Sequence, residues 1–171
     1  MRWLPFQLNP HLPGQGIPRA DYLERKFGSR TRTYDRVAAV GATVGIPFAF
    51  DRITVQPNTV NAHRLLLYAD REHRQDDMAE ALFRAYFTEG ADLTSAEVLA
   101  DIAGRAGLDR ARAAEYLAGE EDRDTVLAAD ESARESGAID GVPFFIFNRK
   151  LAVPGAQDSA TLLDALEQSL G

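Results

Sequence analysis

An α/β protein in which a long helical block interrupts a small sheet is the fold class these 171 residues predict. Three observations carry it. Residues 3–8 alternate apolar and polar, as a half-buried strand does. Residues 142–153 read as two β-rich runs around a polar turn, a hairpin. Helical periodicity fills most of the chain between them. A strand and a distant hairpin share one sheet only when the intervening helices form an insertion, which favours an α/β or α+β layout over a helical bundle.

The elements follow in order. Leu4, Phe6 and Leu8 form one face of the first predicted strand, with Pro5 and Gln7 on the other. Residues 9–18 hold Pro10, Pro13, Gly14, Gly16 and Pro18 and read as a loop. Pro18 can open a helix to about Phe27, with Gly28 just past its end. Residues 33–44 predict a second helix that buries Val37, Val40 and Val44 and stops at Gly45. Residues 46–55, interrupted by Pro47, predict a buried loop. Asn58 or Thr59 caps a helix with Ala62, Leu65, Leu66 and Ala69 at helical spacing. Asp76 or Asp77 starts another, with Met78, Leu82, Phe83 and Tyr86. Thr94-Ser95-Ala96-Glu97 has capping-box spacing, and Leu99, Ile102 and Ala103 follow on one face. Asp109 caps a helix to about Leu117, and Asp122 or Asp124 one to about Ser136, ended by Gly137. After the strands at 142–147 and 151–153, Asp158 or Ser159 caps a last helix bearing Leu162, Leu163, Leu166 and Leu170.

Composition narrows the function classes. Hydrophobic residues make up 45% and charged residues 26%, a mix that builds a packed core. The net charge of −7 argues against a nucleic-acid partner, because phosphate binding needs clustered Lys and Arg. Arg30 and Arg32 sit close together but read as a solvated face. Cysteine is absent, which removes disulfides, thiolate metal sites and a thiol nucleophile from these residues. No secretory leader and no membrane-spanning run is visible, so the expectation is a cytoplasmic protein with no membrane partner.

Five stretches, in this order, carry a family resemblance: Phe6-Gln7-Leu8-Asn9-Pro10, residues 58–65, residues 78–87, Gly141-Val142-Pro143-Phe144-Phe145 and Gly155-Ala156-Gln157. Together the chain resembles the DsbA family of the thioredoxin superfamily, most nearly the FrnE-like branch that neighbours the 2-hydroxychromene-2-carboxylate isomerases. The resemblance implies an incomplete thioredoxin-like sheet built from residues 1–14 and 138–171, with residues 15–137 as an all-helical insertion. Family members begin with a strand and a helix carrying Cys-x-x-Cys, and this sequence begins after them. The expectation is therefore a truncated or redox-inactive form of a protein-disulfide oxidoreductase lineage. Two alternatives stand beside it: a non-catalytic peptide or small-ligand binder, and a relative of the glutathione-dependent isomerases and kappa-class glutathione transferases.

The same resemblance makes Val142-Pro143 the leading site. In the superfamily a cis-proline opens this strand, and the residue before it binds an extended substrate or glutathione through its backbone. An extended peptide or a small thiol or aromatic ligand is the implied partner, with no cofactor. Elsewhere the residues favour structure over chemistry. Asn58 can reach a ligand but stands first as a helix cap. His63 can act as a base or ligand contact, yet its place early in a helix suits packing. His11 and His73 sit in polar turns. Glu72 and His73 are adjacent and cannot share a helix face, so no metal pair arises. With the central strand absent, two inner sheet edges would be open, which predicts a homo-oligomer.

Overall fold

The computed structural model describes residues 1–28, 33–137 and 139–171. Arg30 and Arg32 lie outside the described residues, as does residue 138, where the predicted carboxy-terminal part begins. The chain divides into two compact units, Met1–Leu127 and Ala128–Gly171.

The first unit is mostly helical. It runs β1 (Ile17–Pro18), α1 (Arg19–Phe27), α2 (Thr33–Thr43), a 3-10 turn (Phe50–Arg52), β2 (Val55–Gln56), α3 (Val60–Arg71), α4 (Gln75–Phe87), α5 (Ala96–Arg105) and α6 (Arg110–Ala118). Strands β1 and β2 pair antiparallel, with Ile17 opposite Gln56 and Pro18 opposite Val55. Gly16 permits that approach. It has φ +69°, and a Cβ there would meet the Gln56 carbonyl at 2.6 Å. The core forms where α3 to α6 turn their apolar stripes inward. Leu65, Ala69, Met78, Ala85, Leu99, Ile102, Ala103 and Ala113 are fully buried, and Ile53, Leu82 and Tyr116 are among the other members of the cluster. Removing such side chains from water is the main term stabilising this block.

Several expectations for this unit are corrected. Residues 3–8 form no strand, and no ladder partner stands beside them among the described residues. Leu4 and Leu8 are exposed, whereas Pro5 and Gln7 are buried, the reverse of the predicted face. A side-chain amide does what a neighbouring strand would do for Trp3. The Trp3 N–H donates to Gln75 Oε1 at 2.8 Å, and Gln75 Nε2 donates to the Trp3 carbonyl at 3.1 Å. The Trp3 indole donates to Asp76 at 2.7 Å and packs edge-on against Phe83. The predicted loop at 9–18 ends in β1, and Pro18 stands at the N-cap of α1 rather than inside it. Val37, Val40 and Val44 are exposed at 43%, 60% and 68%, so α2 does not bury that stripe. The segment predicted as a buried loop holds the 3-10 turn and β2, with Ile53 buried but Ile46 exposed.

Two caps lie one to three residues before or after the positions the spacing predicts. Ser95, not Thr94, caps α5 by accepting from the Val98 N–H at 3.3 Å, while Thr94 turns back to Asp92. Arg74 holds the N-cap position of α4, and Asp76 and Asp77 lie in its first turn. Asp109 caps α6 as predicted, accepting from the Arg112 N–H at 3.0 Å.

Helix α7 (Arg123–Glu135) contains the division between the units. Beyond it come β3 (Phe144–Phe147), β4 (Leu151–Pro154) and α8 (Ser159–Leu170). Strands β3 and β4 form the predicted antiparallel hairpin, with Phe147 opposite Leu151. Its turn uses left-handed conformations at Asn148 (φ 49°) and Arg149 (φ 59°), closed by the Lys150 N–H to the Phe147 carbonyl at 2.9 Å. Asn148 Nδ2 also donates to the Ser169 carbonyl and hydroxyl, which ties the turn to the end of α8. Asp158 caps α8 through the Thr161 N–H at 2.9 Å. The apolar stripe of α8 is only partly used: Leu163, Leu166 and Leu170 are exposed, and Ala165 and Ser169 are buried.

Candidate functional site

Val142 and Pro143 immediately precede β3 in the second unit. Their peptide bond is cis. Val142 is 48% exposed, and Pro143 is exposed beside it. The Pro143 carbonyl accepts from the Gly155 N–H at 2.8 Å, which carries the ladder one residue past the hairpin. The Val142 N–H and carbonyl, by contrast, bond to no described residue. Strand β3 pairs with β4 alone, so its other edge has no ladder partner among the described residues. Ile146 is exposed further along β3. An open edge with free amides and apolar side chains can take an extended chain by strand addition.

Asn58 and His63 belong to the first unit. Asn58 is structural at both ends of its amide. Its Oδ1 accepts from the Val60 N–H at 3.0 Å, and its Nδ2 donates to the Leu12 carbonyl at 2.7 Å. It thereby starts α3 and anchors the preceding loop, while Thr59 makes no side-chain cap. His63 lies half-buried in the first turn of α3. The structure brings Asn58 and His63 to one helix start and places Val142 and Pro143 at another site in the chain.

The residue that dominates this end of α3 is Arg64, which sequence reasoning did not single out. It is 2% exposed. Its Nε donates to the Glu121 carbonyl, Nη1 to Asn61 Oδ1 and the Leu117 carbonyl, and Nη2 to the Tyr116 and Gly119 carbonyls. The guanidinium thus satisfies the carbonyls left over at the end of α6 and in the loop behind it. The Tyr116 hydroxyl donates its one proton to Asp122 Oδ2 at 2.6 Å and lies 3.0 Å from the Arg64 carbonyl; Asp122 Oδ2 also takes Arg71 Nη1 at 2.6 Å. Burial works against the charge on Asp122, but the Tyr116 and Arg71 hydrogen bonds outweigh it and hold the carboxyl below its ordinary range. Burial also pushes the Tyr116 hydroxyl up, and its bond to Asp122 adds to that. Asp122 is one of the two caps, with Asp124, that the sequence offers for α7. It instead adopts φ 61° and spends its carboxylate on this knot. The only sequence signal was the placement of two arginines among the helix ends, which does not reveal their acceptors.

Two shallow depressions mark the first unit, of ≈ 380 and ≈ 390 Å³. The first lies among Arg74, Asp77, Glu80, Arg84 and Arg105, and the second among Tyr68, Arg71, Glu115 and Tyr116. Most of their arginines are engaged with neighbouring carboxylates, as in Arg74–Asp77 and Arg84–Glu80. Among the described residues no group of three or more His, Asp or Glu is placed to hold a metal ion. No described helix is long and apolar enough to cross a membrane.

Comparison with known proteins places this architecture. The family model of the DSBA-like thioredoxin domain matches residues 1–167. The solved structure of a probable DsbA oxidoreductase from Streptomyces coelicolor superposes with a TM-score of 0.85 at 29% identity, over 96% of this chain and 73% of that one. An uncharacterised protein, YwbO, from Bacillus subtilis (strain 168) is 24% identical over 156 residues, 91% of this chain and 75% of its own length. The fold is thus thioredoxin-like of the DsbA type, with its helical insertion.

Proposed function

The chain belongs to the DSBA-like thioredoxin domain family, and we propose that these 171 residues supply the substrate-docking part of a DsbA-type fold and no thiol–disulfide chemistry of their own. The observation that carries this is the absence of cysteine from every one of them. Exchange requires a thiolate to attack a disulfide sulfur, and no other side chain here can replace it. Docking falls to the start of β3. Val142 offers an exposed side chain and a backbone N–H and carbonyl that bond to no described residue, next to a strand edge with no ladder partner among the described residues. An extended segment would bond to that backbone, and Ile146 would meet its apolar side chains. The FrnE-like lineage rests on the sequence words around residues 58–65 and 141–145, and the similarity to a probable DsbA oxidoreductase supports the coarser assignment.

The test has two parts. The pure chain should leave the dithiothreitol reduction of insulin at its uncatalysed rate. It should bind an unfolded, cysteine-free apolar peptide, and Val142→Asp should weaken that binding about tenfold, the equivalent of ~1.4 kcal/mol. Turnover above background removes the redox-inactive reading, and equal binding by the variant removes the docking site.

A further inference from the structure

Two of the described arginines in the first unit are buried, and they are held in opposite ways. Arg64 meets five acceptors, as described above. Arg19, the first residue of α1, is 7% exposed and has one side-chain acceptor, the Gln56 Oε1 on Nη1. Its Nε is buried without a partner. None of the ion pairs among the described residues involves it. Residues 29–32 and 138 are Ser, Arg, Thr, Arg and Ala, so no acid lies outside that set. What surrounds the guanidinium is aromatic. It stands 5.0 Å from the ring centre of Tyr34 and 5.5 Å from that of Tyr22. Tyr34 packs in turn against Phe27 and Phe50.

A guanidinium carries five N–H donors. Taking it out of water is costly, and cation–π contacts return only part of that cost. A purely structural arginine at this depth should look like Arg64. Lys26, two turns along the same face, also has no acidic partner among the described residues. Its Nζ donates to the Tyr22 hydroxyl at 2.8 Å. Arg19, Tyr22 and Lys26 therefore make a cationic and aromatic stripe at i, i+3 and i+7.

We propose that Arg19 is an anion-binding residue whose ligand is a carboxylate on a small apolar body. Gln56 is the neutral acceptor that holds the guanidinium until the carboxylate displaces it. A carboxylate brings the missing charge and two oxygens that match the guanidinium fork. The Tyr22 and Tyr34 faces suit an apolar body better than a strongly hydrated phosphate. The site lies wholly in the first unit and is independent of docking at Val142.

Thermal unfolding of the whole chain decides it, in sodium benzoate, acetate or phosphate against sodium chloride at equal ionic strength. Benzoate should raise Tm over chloride by roughly 2–4 °C or more. Arg19→Met should lose that shift without a lower Tm in chloride. Gln56→Glu sets a carboxylate against the guanidinium within the chain. It should raise Tm in chloride and abolish the benzoate shift. Equal benzoate shifts in the native chain and either variant overturn the proposal. So does a native Tm indifferent to benzoate and acetate, or a larger shift from phosphate.

Discussion

At the scale of single residues, the stability of the helical block concentrates on Arg64 and Asp122. Truncating Arg64 to Ala strips partners from the carbonyls of Tyr116, Leu117, Gly119 and Glu121 at once. Buried acceptors left unpaired cost ~1–3 kcal/mol each when water cannot reach them. The expected loss is on the order of 3–5 kcal/mol in urea unfolding, with little relief from Arg64→Lys, whose ammonium cannot span the fork. Asp122 gives the pH dependence. Its folded carboxyl is held below the ordinary value, so its contribution is full above the unfolded pKa near ~4 and is lost as pH falls through the folded one. Asp122→Asn keeps a residue that tolerates φ 61° but removes the charge. It should cost about 1–2 kcal/mol at neutral pH, and the gap to the native chain should close below about pH 4. A gap that does not shrink at all between neutral pH and about pH 2 removes this assignment.

At the scale of elements, short polar side chains decide where helices start and how strand-like segments are held. Ser95 accepts from the Val98 N–H, so Ser95→Ala should cost ~1 kcal/mol through α5. Sequence spacing pointed to Thr94, because a Thr and a Glu three apart match a capping box; Asp92 claims the Thr94 hydroxyl instead. The competition between Asp92 and the helix end is local in space but invisible in the pattern. Gln75 plays the same part for residues 3–8. Gln75→Ala removes two hydrogen bonds to the Trp3 backbone. Hydrogen exchange at the Trp3 amide should rise by about tenfold or more, consistent with the loss of ~1.4 kcal/mol of local protection. Unchanged exchange there would show that the segment is held by other contacts. In the hairpin, Asn148 is needed twice, for its left-handed turn and for its bonds to Ser169.

At the scale of the whole molecule, apolar surface remains uncovered in both units. Val37 and Val40 on α2, with Val44 just past its end, form one exposed stripe, and Leu163, Leu166 and Leu170 form another on α8. Together with the open edge of β3, this leads us to expect self-association. Light scattering at micromolar concentration should give a dimer or larger species, whereas a compact monomer with a cooperative melt would show the edge argument to be wrong. The sequence by itself determined the helix-rich α/β class, the hairpin at 142–153, the caps at Asp109 and Asp158, and the absence of cysteine from these residues. Each of these follows from local periodicity, from a side chain bonding to its own neighbours, or from composition. Only the tertiary structure decided that residues 3–8 form no strand, that the α2 and α8 stripes face outward, and that Arg64 and Asp122 knot α3 to the end of α6. Whether an apolar stripe is buried, or a charged side chain satisfied, depends on which distant elements arrive beside it. Arg19 and Arg64 are the same residue type at the start of helices, and 45 positions apart no local pattern distinguishes five acceptors from one.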